Sequence, residues 1–123
     1  MVERTFVSVV DDDESVRESL PDLLRSFGFE VEAFAAAAEF LSSTALMRTG
    51  CLVLDVAMPG MTGPELQQEL ARRKLQIPIV FITAHSNDQT QPQVLAQGAV
   101  ACLIKPFSEA EIVEAVKAGF AMA

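Results

Sequence analysis

Cationic residues are scarce in this chain: nine Lys and Arg stand against seventeen Asp and Glu, giving a formal net charge of -8. Nucleic-acid affinity rests mainly on phosphate neutralisation by Lys and Arg, so direct DNA or RNA binding by this stretch is not expected. Cysteine is scarce as well. Cys51 and Cys102 both lie inside apolar, strand-like runs without CxxC spacing, which points to buried, reduced thiols and away from a disulfide framework or a thiolate metal site. Hydrophobic residues make up 50% of the chain and the mean hydropathy is +0.31, yet no apolar run approaches the ~20 residues of a membrane-spanning helix. No membrane partner is expected. Met1-Val2-Glu3-Arg4 shows neither a charged-then-apolar leader nor a cleavage site, so the expected location is cytoplasmic. Linkers, repeats and low-complexity tracts are missing too, and 123 residues suit one domain over 1–123.

What is present is an alternation of strand and helix patterns. Thr5 to Val10 is a β-branched apolar run that ends in Asp11-Asp12-Asp13-Glu14. Val16, Leu20, Leu23, Leu24 and Phe27 recur at helical spacing up to a Gly28 C-cap, with Pro21 predicting a kink. Phe29 to Phe34 reads as a second strand, and Ala35 to Met47 as a helix without a capping side chain. Cys51 to Leu54 is an unbroken apolar run ending in Asp55, followed by the turn Met58-Pro59-Gly60. Thr62 and Glu65 have capping-box spacing, opening a helix to about Lys74. Ile77 to Thr83 is a fourth strand, and Ala84 to Gln91 a polar loop before a short helix at Pro92. Val100 to Ile104 is the fifth strand, leading into Lys105-Pro106-Phe107. Ser108 and Glu111 then form a second capping box, with Phe107 and Ile112 as its hydrophobic staple.

Such alternation implies a parallel sheet covered by helices on both faces. Ligands of such sheets gather at the carboxyl ends of the strands, where the strand order reverses. Those ends carry Asp11 and Asp12, Asp55, Thr83 and Lys105. Converging carboxylates raise one another's cost of ionisation unless a cation sits among them, and oxygen donors suit a hard divalent ion such as Mg²⁺ or Mn²⁺. One carboxylate with a lysine, a hydroxyl and a metal around it forms a phosphoryl site. The carboxylate serves as nucleophile and its neighbours neutralise and orient the phosphoryl oxygens.

Four blocks, Val9-Val10-Asp11-Asp12-Asp13, Leu54 to Gly63, Ile82-Thr83-Ala84 and Lys105-Pro106-Phe107, together resemble the signature of response-regulator receiver domains of two-component systems, with a FixJ-like flavour. The resemblance implies a flavodoxin-like (CheY-like) doubly wound α/β fold with five parallel strands in the order 2-1-3-4-5. It implies that Asp55 accepts a phosphoryl group from a sensor histidine kinase, with Mg²⁺ held by Asp12, Asp55, the Ala57 carbonyl and, through water, Asp11. Thr83 and Lys105 would contact the phosphoryl group, Ala84 would stay small to admit it, and the bond before Pro106 would be cis. In that role the chain is a signalling acceptor and not a turnover enzyme. Its downstream partner is a separate protein or a fused output domain, and a homodimer formed on phosphorylation stays open.

Two positions depart from the common receiver pattern. Three residues before the lysine, where an aromatic switch usually sits, stands Cys102; output through the loop after Thr83 and the Pro92 helix is expected instead. Two residues after Asp55 and Thr83 stand Ala57 and His85. Ala57 offers no polar side chain, while His85 either orients a water or sits in solvent, the ordinary state of a lone loop histidine. Two rivals keep their place. Asp11-Asp12-Asp13 faintly resembles the DxD loop of haloacid-dehalogenase phosphatases, with Asp11 attacking and Asp13 as acid, but the Gly and Thr that usually follow are missing. A receiver-like binding module that works without phosphorylation is the other. Asp13 and Glu14 otherwise read as helix-start acids, and Arg72-Arg73-Lys74 as a basic helix end.

Overall fold

In the computed structural model, which describes residues 5–84 and 90–122, five strands form one parallel sheet in the order β2-β1-β3-β4-β5. The strands are β1 (Phe6–Val10), β2 (Glu30–Phe34), β3 (Cys51–Asp55), β4 (Ile79–Thr83) and β5 (Ala101–Ile104). Between them lie α1 (Glu14–Ser26), α2 (Ala37–Leu41), a 3-10 turn (Thr44–Met47), α3 (Gly63–Arg72) and α4 (Thr90–Ala96), with α5 (Glu109–Ala121) closing the order. The doubly wound fold and its strand order are those that the resemblance to receiver domains implies.

Burial on both faces explains why the three inner strands β1, β3 and β4 are apolar almost throughout, whereas the edge strand β2 alternates with exposed Glu30 and Glu32. Val7, Val9, Val53, Val80 and Ile82 pack on one side with Leu20 and Leu24 of α1 and Ile112, Val113 and Val116 of α5. Val10, Leu52, Leu54, Phe81 and Cys102 face the other side, with Phe40, Leu66, Leu70 and Val94 from α2, α3 and α4. Alternate residues of each strand thus serve two separate cores. Cys51 and Cys102 are both buried and neither forms a disulfide.

Helix starts follow their capping chemistry. The Asp13 carboxylate accepts from the Ser15 N–H and caps α1, which continues through Pro21. Reciprocal capping boxes open α3, from Thr62 and Glu65, and α5, from Ser108 and Glu111. The expected single helix from Ala35 to Met47 is not formed. It breaks into α2 and the 3-10 turn, because Ser42 bonds back to the Ala38 carbonyl and Ser43 caps a new turn at the Ala45 N–H. The Ser8 and Thr49 hydroxyls then hydrogen-bond at 2.7 Å inside the protein and tie that segment to β1. Among the described residues no helix is long and apolar enough to cross a membrane. His85 and most of the expected loop before α4 lie outside the described residues.

Candidate functional site

The strand order reverses between β1 and β3, which pair directly: Val10 is opposite Leu54. Asp11 follows β1 and Asp55 ends β3, so the two acids flank the point where such sheets bind ligands. Asp11 is fully buried and Asp55 only 6% exposed, whereas Asp12 faces solvent. Their ligand oxygens all lie within 4.8 Å of one another. Lys105, arriving from the end of β5, places its Nζ 3.0 Å from Asp11 Oδ2 and 3.8 Å from Asp55 Oδ1. Its backbone N–H donates to the Thr83 carbonyl at 2.7 Å, so the hydroxyl-bearing and lysine-bearing strand ends are fixed together. The Lys105-Pro106 bond is cis. Thr83 is buried at 4% exposure, while Ala84 and Ala57 are exposed at the same rim.

The electrostatics are those of crowded acids with one cation. The Asp55 carboxyl is pushed up to about 7, first by burial and then by the neighbouring Asp11 charge, with Lys105 pulling the other way. Burial opposes the charge on Lys105, but the hydrogen bond to Asp11 and the charges of Asp55 and Asp11 outweigh it and hold the ammonium above its usual range. When all three carboxyls are ionised, they and the Lys105 ammonium leave two negative charges in excess, which a divalent cation matches. Three converging oxygen donors, one of them on the solvent side, fit Mg²⁺ or Mn²⁺, which keep several waters beside a few carboxylates.

Two supporting residues had no role assigned from the sequence. Arg17, one turn into α1, donates from Nη1 to the Asp11 carbonyl at 3.1 Å. Gly63, the first residue of α3, donates its N–H to the Val56 carbonyl at 3.0 Å, one residue past Asp55. The sequence signal for Arg17 is only its spacing after the acidic cluster, and for Gly63 its place beside the Thr62 cap at the end of the block Leu54 to Gly63. The hydrolase alternative loses support here. Asp11 has Oδ1 engaged by the Asp13 N–H at 2.9 Å and Oδ2 by Lys105, and the Asp13 carboxylate is turned to the N–H and hydroxyl of Ser15. That hydrogen bonding from Ser15 also holds the Asp13 carboxyl below its usual range, the opposite of what a catalytic acid needs. Cys51, whose thiol burial pushes up to about 12, is chemically quiet.

An acidic cluster of this composition at the β1/β3 switch point, with a lysine and a hydroxyl from the next two strand ends, defines a receiver-type architecture. The family model for the response regulator receiver domain matches residues 7–117, and the chain belongs to that family. Among curated relatives, nodulation protein W of Bradyrhizobium diazoefficiens is 48% identical over 115 residues, covering 94% of this chain and 51% of the relative. The transcriptional regulatory protein FixJ of Azorhizobium caulinodans is 41% identical over 118 residues, covering 96% and 56%. The chain spans about half the length of the curated relatives it matches. Of solved structures, the response regulator StyR superposes with a TM-score of 0.89 at 49% identity, covering 95% of this chain and 59% of that one. The N-terminal part of FixJ gives 0.88 at 36% identity, covering 96% and 94%. These similarities place the chain in the FixJ-like branch.

Proposed function

We propose that Asp55 is the phosphoryl acceptor of a two-component relay, modified by a sensor histidine kinase in a reaction that depends on a divalent cation. The observation that carries this reading is Lys105, suspended between the buried Asp11 and Asp55 at the strand-order reversal. In the transfer, an Asp55 carboxylate oxygen bonds to phosphorus as the bond from phosphorus to the kinase's imidazole nitrogen breaks. The electron pair leaves with the imidazole, which takes up a proton. Lys105 neutralises charge on a phosphoryl oxygen, the Thr83 hydroxyl donates to another, and Ala84 leaves space for them. Asp11, Asp12, Asp55 and the Ala57 carbonyl would hold Mg²⁺ or Mn²⁺, which supplies charge neutralisation on the transferring group. The chain promotes only its own phosphorylation and dephosphorylation, and the modified form presents an altered surface to a downstream protein or an attached output domain.

The test is intact-mass measurement after incubation with acetyl phosphate and Mg²⁺. One phosphoryl adduct on the wild type and none on Asp55→Asn is the expected result. A wild type that stays unmodified would overturn the reading in favour of a phosphorylation-independent binding module.

A further inference from the structure

Gly63 starts α3 directly against the backbone of the acceptor residue. A Cβ built on Gly63 would lie 2.3 Å from the Asp55 carbonyl oxygen, 3.1 Å from the Asp55 carbonyl carbon and 3.0 Å from Phe81 Cε1. These are backbone and ring atoms in the buried interior, so no flexible side-chain end can give way. Asp55 itself is not free to retreat. It pairs with Ile82 of β4, and the Val56 N–H next to it donates to the Ile82 carbonyl at 3.0 Å. Any added methyl must therefore push α3 away, and the first bond lost is the 3.0 Å contact from the Gly63 N–H to the Val56 carbonyl. That bond closes the turn from Val56 to Thr62, which contains Ala57.

From this contact we propose that Gly63 is a positioning residue for the cation site: its missing side chain lets α3 clamp the turn that carries Ala57 against the strand that carries Asp55. The inference rests on the phosphoryl-acceptor reading and deepens it. Space, and not backbone freedom, is the reason for glycine here, since the left-handed glycines are Gly28, Gly60 and Gly98. Gly119 supplies a matched comparison far from the site. A Cβ there would lie 2.8 Å from Cys51 Sγ and 3.5 Å from Pro78 Cβ, so Gly119→Ala also disturbs the interior, but on the α5 side.

The test titrates Mg²⁺ alone, without phosphodonor, into wild type, Gly63→Ala and Gly119→Ala, following binding by calorimetry and folding by thermal unfolding. Gly63→Ala is expected to bind Mg²⁺ at least tenfold more weakly, while Gly119→Ala binds as the wild type does even if its melting temperature falls as far. Equal Mg²⁺ affinity for Gly63→Ala and wild type, or an equal loss in both variants, would overturn the proposal. Should Gly63→Ala not fold, amide exchange in the wild type decides. Mg²⁺ should slow exchange at Gly63 more than at Val100, whose N–H donates to the Ile79 carbonyl at 2.8 Å near the opposite rim of the sheet; equal slowing at the two overturns it. A wild type that binds no Mg²⁺ would instead sink the underlying acceptor reading, whatever Gly63 does.

Discussion

Asp55 holds its charge against its surroundings. Its carboxyl is raised from 3.8 to about 7 by burial and by Asp11, so the native state binds more protons than the unfolded chain between those values. Stability then falls as pH rises through that window. Replacing the acid with a neutral amide removes this penalty. Asp55→Asn is expected to stabilise the metal-free chain, by on the order of 2 kcal/mol more at pH 8 than at pH 5. Thermal unfolding at the two pH values checks it, and an equal gain at both, or a loss, would contradict it. Saturating Mg²⁺ should shrink the difference, because a cation offsets the repulsion that raises Asp55. The residues proposed to touch the chemistry were legible in the sequence, since Asp11, Asp12, Asp55, Thr83 and Lys105 each follow or end an apolar run. Arg17 was not, and Gly63 stood at the end of a signature block without a role of its own. A helix-surface arginine and a glycine beside a cap have ordinary structural uses, and only the fold reveals which backbone atoms they meet.

At the scale of elements, the caps carry specific weight. The Thr62 side chain accepts from the Glu65 N–H at 3.3 Å and Glu65 returns the bond to the Thr62 N–H at 2.9 Å. Thr62→Ala is expected to cost about 1 kcal/mol in urea unfolding; a change below ~0.3 kcal/mol would contradict that weight. These boxes were readable because Thr or Ser stands three residues before Glu. The break between α2 and the 3-10 turn was not, since Ala35 to Met47 has helical composition and serines at 42 and 43 are compatible with a continuous helix as well as with the local bonds that end it. Helix α4 is held by two amides. Gln67 Nε2 of α3 donates to the Val94 carbonyl at 3.2 Å, and Gln91 Nε2 donates to the Cys102 carbonyl at 2.9 Å. Cys102 faces the same core as Val94, and with no aromatic ring at that position the expected output runs through the loop after Thr83 and the Pro92 helix, α4. With beryllofluoride as phosphoryl mimic, amide exchange over residues 90–98 should change while that of α1 holds steady. Unchanged exchange in α4 would remove it from the relay.

For the molecule as a whole, the alternation of five strand-like segments with helical spacing is sufficient to imply a parallel sheet, but not its strand order. The order came from the resemblance of four short blocks to receiver domains, and the structure carries it. The order matters because it sets β1 beside β3 and so makes one site of two acidic strand ends that are 44 residues apart in the chain, Asp11 and Asp55. The chain spans about half the length of its curated relatives, and the proposal concerns the chemistry at Asp55. The central claim is that one particular carboxylate carries the phosphoryl group. Borohydride reduces an acyl phosphate to an alcohol, converting a phosphorylated aspartate to homoserine. After phosphorylation by acetyl phosphate with Mg²⁺, reduction and peptide mass spectrometry, homoserine is predicted at position 55 alone; homoserine at position 11 or 12, with aspartate intact at 55, would contradict the account.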